Sequence, residues 1–381
     1  MKKMATAPLS ILVSTIAGTL FAFSTAASAD DARIFFASDI HSHTSELATA
    51  VTEECVTNDD CDAVALVGDF NFGASYDASE QDVTNMIEPL PKHIPVILSG
   101  GNHDVSVAKG GDIPVTGLVS SGSSLYDFWV INDEDFNLFG NDTSAQREAL
   151  DEYLSRNPGK YLFILCHYPL HSTRDAGRTS AAVNFFNYLN DKGEHRNIVV
   201  AWGHNHHLGY DNDVNNVALP SEYPCDASVN RLNNITVCSQ TLNFTYLNAG
   251  YMTHDSAAVA PAYSIVTIDD AELEVWRSDT QTAKTTLRKN PLGDTNHDYV
   301  VNIVDALIIA QEYVGLNPPL FNDDVADVNE DGLINIVDSL VIAQYYVNLV
   351  ESLPAYNQQQ PTTDPQTIEE AQQLIIDAMN P

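Results

Sequence analysis

The chain has 381 residues, 44% of them hydrophobic, with 17 basic against 52 acidic side chains and a formal net charge of −35 at pH 7. That length suits two domains, and that apolar content excludes a disordered chain. So acidic a surface repels phosphate backbones, so nucleic acid is not an expected partner, whereas divalent cations are attracted or solubility at high salt is favoured.

The first 29 residues read as a secretory signal peptide. Lys2 and Lys3 form a positive start, Ile11 to Phe23 an apolar stretch, and Ala27-Ser28-Ala29 a small-x-small cleavage site. No other stretch reaches roughly 18 uninterrupted apolar residues, so no membrane span is expected and the mature protein is expected to be secreted. In an oxidising compartment Cys55 with Cys61, and Cys225 with Cys238, are candidates for two local disulfides. Cys166 is left over at the end of an apolar run and reads as a buried, inert thiol.

Next come five short β-rich runs, each the length of a buried strand and each ending in ligand-type residues. "RIFFAS" (33–38) leads to Asp39-Ile40-His41, and "AVALVG" (63–68) to Asp69. "IPVILSGG" (94–101) leads to Asn102-His103-Asp104, and "KYLFILC" (160–166) to His167. "NIVVAWG" (197–203) leads to His204-Asn205-His206-His207. Residues 143–156 and 179–191 show helical spacing, with starts rich in Ser and Thr. Strands ending in such residues describe an α/β sheet with its site at the strands' carboxyl ends.

Carboxylates, imidazoles and one carboxamide converge there without a positioned thiolate, which suits borderline divalent metals over a structural Cys-type zinc. Seven candidate ligands, Asp39, His41, Asp69, Asn102, His167, His204 and His206, are too many for one tetrahedral ion. They suit two ions sharing a carboxylate, the arrangement that grips attacking and leaving oxygens in phosphoryl transfer. A lone histidine after a strand is commonly an ordinary core group, but five blocks at five strand ends are hard to produce by chance. His43, His171 and His207 lie close enough to support ligands or face substrate.

In order, Asp39-x-His41, Gly68-Asp69, Gly101-Asn102-His103-Asp104, His167 and Gly203-His204-x-His206 match the blocks of a known family. Over residues 32–278 the chain resembles the calcineurin-like metallophosphoesterases. The resemblance implies a four-layer α/β/β/α sandwich with two divalent transition metals. One would be held by Asp39, His41, Asp69 and His206, the other by Asp69, Asn102, His167 and His204, with Asp69 bridging. It implies that His103 meets the phosphate oxygen or leaving group without ligating, oriented by Asp104. "HYPLHS" (167–172) and "GHNHHLGY" (203–210) are also similar to the purple acid phosphatase branch. There an iron-ligating tyrosine follows the bridging aspartate by three positions; here that place is Phe72, and His41 supplies a ligand that branch lacks. Mn, Zn or Fe(II) is therefore expected, not a purple Fe(III) centre. The implied reaction is hydrolysis of a small phosphorylated substrate by metal-activated hydroxide. Phosphomonoesters come first, phosphodiesters or nucleotides second. A catalytically silent binding component is the alternative from another class, which the intact ligand blocks disfavour.

Residues 279–291 are polar and read as a linker, which ends the phosphoesterase domain (30–278). A repeat of period 33 follows: "DTNHDYVVNIVDALIIAQEYV" (294–314) is echoed by "DVNEDGLINIVDSLVIAQYYV" (327–347). Each has oxygen ligands at calcium-loop spacing before an apolar helix, with Asp in place of Glu at the twelfth position. The first loop offers Asp294, Asn296, Asp298, Asn302 and Asp305, the second Asp327, Asn329, Asp331, Asn335 and Asp338. Over about residues 292–350 the pair resembles a dockerin, an all-α module that folds around two calcium ions and binds a cohesin domain of an extracellular scaffold protein. Ile303-Val304 and Ile336-Val337 are the candidate partner-binding pairs, alike enough for cohesin to dock in either of two orientations. Position 6, usually Gly to allow positive φ, is Gly332 in the second loop and Tyr299 in the first, so weaker calcium binding is expected there. The tail, 351–381, holds a polar stretch and a short amphipathic run.

Overall fold

Strands that are apolar on both faces need a layer on each side, and the strand runs meet that need. In the computed structural model, which describes residues 31–41, 43–58, 61–70, 77–104, 116–131, 144–171, 179–204, 216–226, 235–252, 260–269, 271–319 and 321–354, they lie in two face-to-face sheets. The first sheet has the order β13 (Thr282–Leu287), β12 (Glu272–Arg277), β11 (Ala262–Ile268), β1 (Ala32–Ala37), β2 (Ala63–Val67), β3 (Val96–Ser99), with β10 (Gly250–Tyr251) paired to β11. The second runs β4 (Gly117–Val119), β5 (Tyr126–Ile131), β6 (Tyr161–Cys166), β7 (Asn197–Trp202), β9 (Thr245–Asn248), β8 (Val217–Ala218). β1, β2 and β3 are parallel, as are β5, β6, β7 and β9.

The strand period of two sorts side chains between layers. Ile34, Phe36, Phe163, Leu165, Val199 and Ala201 fill the space between the sheets. Phe35, Ala37, Val64 and Leu66 face outward with Leu47 and Val51 of α1 (Thr44–Thr52) and Val83 and Met86 of α2 (Glu80–Ile87). On the other outer face, Leu162, Ile164, Val200 and Trp202 pack with Leu150 and Leu154 of α3 (Ser144–Arg156) and Phe186 and Leu189 of α4 (Thr179–Gly193). The result is the four-layer α/β/β/α sandwich. The five strand runs read from sequence coincide with β1, β2, β3, β6 and β7 to within two residues.

Cys55 and Cys61 are disulfide-bonded, as are Cys225 and Cys238, a pair whose second cysteine ends the short helix α5 (Ile235–Cys238). Cys166 stays outside both, buried, its thiol 3.2 Å from the Tyr168 carbonyl oxygen.

One reading needs correction. The segment 279–291 is no linker over its middle, because Thr282–Leu287 forms β13 along β12. An edge strand open to water needs no apolar face; β-branched Thr282, Thr285 and Thr286 favour extended backbone, and β12 supplies the hydrogen bonds.

The C-terminal module holds α6 (Ile303–Tyr313) and α7 (Ile336–Tyr346) over a core of Leu292, Val301, Ile309, Val328, Val341 and Ile342. Each helix opens with a capping box, Asn302 with Asp305 and Asn335 with Asp338. Among the described residues no helix is long and apolar enough to cross a membrane.

Candidate metal centre and calcium loops

The carboxyl ends of both sheets meet where the strands are laced together. Ser99 Oγ lies 2.9 and 3.2 Å from the carbonyl oxygens of Ile131 and Leu165, which share its one proton, and the His167 ring Nδ1 lies 2.8 Å from the Val67 carbonyl. That contact makes Nδ1 the protonated nitrogen and leaves Nε2 as the ligand atom. Ser38 Oγ reaches Val67 O and Asp39 Oδ2, both at 2.7 Å, tying β1 to β2 immediately before the first ligand block.

Asp39, His41, Asp69 and His204 all stand in the left-handed region, with φ of 51°, 41°, 58° and 70°. Sharp reversals at the strand ends turn their side chains into one pocket, at a cost of order 1–2 kcal/mol per residue. Asp39 Oδ2 accepts from the His204 amide at 2.9 Å, leaving Oδ1 3.9 Å from His41 Nε2. Asp69 Oδ1 accepts from the His103 amide at 3.0 Å, while its Oδ2 lies 3.2 Å from His167 Nε2 and 3.7 Å from His41 Nε2. Gly203 has no room for more: a Cβ there would collide with Ser38 Oγ.

Two groups of ligand atoms result, Asp39/His41/Asp69 and Asp69/His167/His204, each with its atoms within 4.8 Å of one another and Asp69 common to both. Ligand atoms about 2.0–2.2 Å from one ion lie at most ~4.4 Å apart, which the spacings of 3.2, 3.7 and 3.9 Å satisfy. Asn102 Oδ1 is buried without a hydrogen-bond partner, a carbonyl oxygen with a lone pair to give. The electrostatics point the same way. Burial works against charging His167, yet the neighbouring Asp69 pushes its imidazole up to about 10. Burial likewise opposes ionising Asp69, but His167 and then His41 hold it well below the usual carboxylate range. A buried cluster that draws protons onto its histidines is one that calls for cations, so the residues fit divalent metals.

His206 and His207 lie outside the described residues, as does Phe72. Asp104, expected to orient His103, does something else: its Oδ2 accepts from the amides of Asp69 (2.7 Å) and Gly101 (2.8 Å), and its Oδ1 from Phe70 (3.0 Å). Three backbone amides thus hold this carboxylate, and it clamps the loop that carries Asp69. Burial, then the charge of Asp69, pushes this carboxyl up to about 7. The His103 ring stands edge-on to that of His41 at 5.5 Å. His43 Nδ1 lies 3.2 Å from the His41 carbonyl, a supporting contact. His171 is buried, with Nδ1 2.9 Å from Tyr246 Oη, and that oxygen also accepts from the Leu170 amide at 2.7 Å. Tyr168, whose ring lies 4.4 Å from that of His204, carried no signal in the sequence beyond following His167.

The calcium loops superpose in their bonding. Asp294 accepts from the amides of Asp298 and Tyr299, and Asp327 from those of Asp331 and Gly332, at 2.8–3.1 Å. Asp305 accepts from Thr295 and Asn302, and Asp338 from Val328 and Asn335. Burial, helped by neighbouring carboxylates, pushes Asp294 and Asp338 up to about 7 and Asp305 to about 6. Oxygen donors crowded against their own repulsion fit a hard cation such as calcium. The partner-binding pairs are unequal: Ile303 and Val304 are 48% and 46% exposed, whereas Ile336 and Val337 are half-buried and Val337 packs on the module's core.

This architecture and ligand arrangement are those of a metal-dependent phosphoesterase. Residues 32–208 match the calcineurin-like phosphoesterase family, and residues 292–348 the dockerin type I domain. The chain thus joins a calcineurin-like phosphoesterase domain to a dockerin. Similar solved structures include a conserved uncharacterized protein, a predicted phosphoesterase, from Streptococcus pneumoniae TIGR4 (14% identity, 68% of this chain and 98% of that one, TM-score 0.32). Chaetomium thermophilum Vps29 is another (10% identity, 68% and 96%, TM-score 0.31). A third is the purple acid phosphatase PPD1 from yellow lupin (Lupinus luteus) seeds (12% identity, 68% and 54%, TM-score 0.39). No curated protein matches the chain.

Proposed function

We propose that the N-terminal domain hydrolyses phosphomonoesters at a centre of two divalent transition metals, Mn, Zn or Fe(II), and that the dockerin anchors it to a cohesin-bearing extracellular scaffold. The observation that carries this reading is Asp69 Oδ2 standing 3.2 Å from His167 Nε2 and 3.7 Å from His41 Nε2, common to two ligand groups. Two cations there supply Lewis acidity toward phosphoryl oxygens and a nucleophilic water near neutral pH. Asp39, His41, Asp69 and His206 are assigned to one, and Asp69, Asn102, His167 and His204 to the other. The Val67 carbonyl holds His167 in the tautomer that offers Nε2, and the His204 amide fixes the rotamer of Asp39. His103, pinned through its amide to Asp69, is assigned the proton donated to the leaving oxygen. We take the phosphoesterase domain to run from 30 to about 291 and the dockerin from 292 to 350, a division supported by the pairing of β13 with β12. Export after residue 29 is supported by the two disulfides, which belong to oxidising compartments.

The test is a panel of p-nitrophenyl mono- and diesters with added Mn or Zn. Monoesters should be the better substrates; diester preference would replace the substrate assignment, and no turnover with bound metal would leave a binding component. Asp69→Asn should lose metal and turnover together. His103→Ala should keep its metal and lose about 10²–10⁴ in rate, most for poor leaving groups.

A further inference from the structure

The first calcium loop places a tyrosine where its twin has glycine. Tyr299 and Gly332 hold the same turn, with φ of 61° and 85°. A side chain strained in this way persists where its surroundings hold it, and for Tyr299 those surroundings are the phosphoesterase domain. Its ring lies against the Arg288 guanidinium, 3.9 Å from carbon to centroid; the same guanidinium sits over Tyr161 at 5.8 Å and donates to the Gly159 carbonyl at 2.6 Å. Gly159 packs so closely on Tyr299 that a Cβ would collide with the Tyr299 carbonyl oxygen and come within 3.2 Å of its Cβ.

The chain entering the module is itself fastened down. Asn197 exchanges two hydrogen bonds with the Lys289 backbone, at 2.8 and 2.9 Å, and Lys289 Nζ donates to the carbonyls of Gly193 and Asn243. Farther along, the Tyr345 hydroxyl donates to the Ser155 carbonyl, and Glu330 lies 3.9 Å from His195. These contacts stand along a cleft of about 1190 Å³ between the two, whose lining includes Ser155, Gly159, Arg288, Tyr299 and Tyr345.

We propose that the dockerin is seated on the phosphoesterase domain through Tyr299, and that calcium loading of the first loop and this seating favour one another. The loop's amides at Asp298 and Tyr299 close on Asp294, so a cation held by Asp294 fixes the turn that presents the tyrosine ring. Seating, in turn, holds the strained turn ready for the cation. Such coupling is reciprocal and typically worth about five-fold or more in affinity. The second loop, with Gly332, has no such anchor at that position and serves as the internal control. The inference rests on reading both loops as calcium sites.

The test uses the full chain. Calcium titration of an Asp327→Asn background reads the first loop, and of an Asp294→Asn background the second. Adding Arg288→Ala should weaken the first-loop affinity about five-fold and leave the second unchanged. In hydrogen exchange, calcium should slow residues 155–160 in the parent protein but not in Arg288→Ala. Tyr299→Gly should also lose that calcium-dependent slowing without weakening first-loop binding, since glycine takes the turn unstrained; this separates seating from damage to the loop. Equal first-loop affinity with and without Arg288, or exchange at 155–160 indifferent to calcium in the parent, overturns the coupling while leaving the calcium loops standing. Failure of both loops to bind calcium overturns both.

Discussion

At the scale of single residues, Ser38 shows how the centre is held. Its hydroxyl bridges Val67 O and Asp39 Oδ2 from a fully buried position. Ser38→Ala would remove the one hydroxyl proton that the Val67 carbonyl and the Asp39 carboxylate share in a dry site, leaving them the His167 ring and the His204 amide, at roughly 1–3 kcal/mol. Supporting contacts of this kind are worth about 10–100-fold in metal affinity. Equilibrium dialysis should therefore find Ser38→Ala folded but binding Zn or Mn at least ten-fold more weakly; unchanged affinity would remove Ser38 from the support of the site. The ligand blocks were legible in the sequence because cation chemistry demands carboxylate and imidazole, and strand ends are where apolar runs stop. Ser38 and Ser99 were not, since a hydroxyl bonded to a distant carbonyl leaves no spacing behind. Asp104 was misread for the same reason: its neighbour in sequence is His103, but its partners are the Asp69 and Phe70 amides from the end of β2 and the Gly101 amide of its own turn.

Among elements, the calcium loops carry a testable pH dependence. Unfolded aspartates titrate near 3.9, whereas Asp305 is pushed up to about 6 and Asp294 and Asp338 to about 7. Raised folded values mean that the calcium-free module is most stable below about pH 4 and loses stability as pH climbs through 6 to 7. Calcium binds the ionised form, so with calcium the trend reverses. Protection of residues 303–313 and 336–346 against hydrogen exchange, taken relative to the unfolded chain at the same pH, should thus rise on acidification with chelator present and rise on raising pH with calcium present; the same slope in both would contradict this. The repeat also made two docking pairs look interchangeable. Charging either Ile303-Val304 or Ile336-Val337 alone should leave cohesin binding within a few-fold, and charging both should abolish it. The structure adds an asymmetry: only the second double variant should also lower the calcium-loaded melting temperature, because Val337 packs on the core. The period of 33 was plain to read, but burial depends on what the rest of the chain lays over each copy. β13 was missed because a solvent edge strand rich in Thr has the composition of a loop.

For the whole molecule, the acidic excess gathers inside as well as out. Asp39, Asp69 and Asp104 are buried together beneath the joined sheet ends, and stripping transition metals leaves that charge to protons alone. Metal-free protein should melt lower than loaded protein, with the recovery growing with the logarithm of added Mn or Zn, about 2.7 kcal/mol at a hundred times Kd. A melting temperature indifferent to metal would argue against a centre built from these residues. The fold itself was readable from five strand runs because each is apolar on both faces and so announces a double-layered core; the relation between the two modules was not, since it rests on Gly159, Arg288 and Tyr299 meeting from separate stretches of chain. A loose tether as long as 279–291 would let the catalytic mouth wander through roughly 20 Å. β13 and the anchored Lys289 take that freedom away. Each copy plugged into a cohesin would then point its mouth along one of two bearings, one for each docking pair, so what it can reach is decided by how the scaffold is laid out and which pair is engaged.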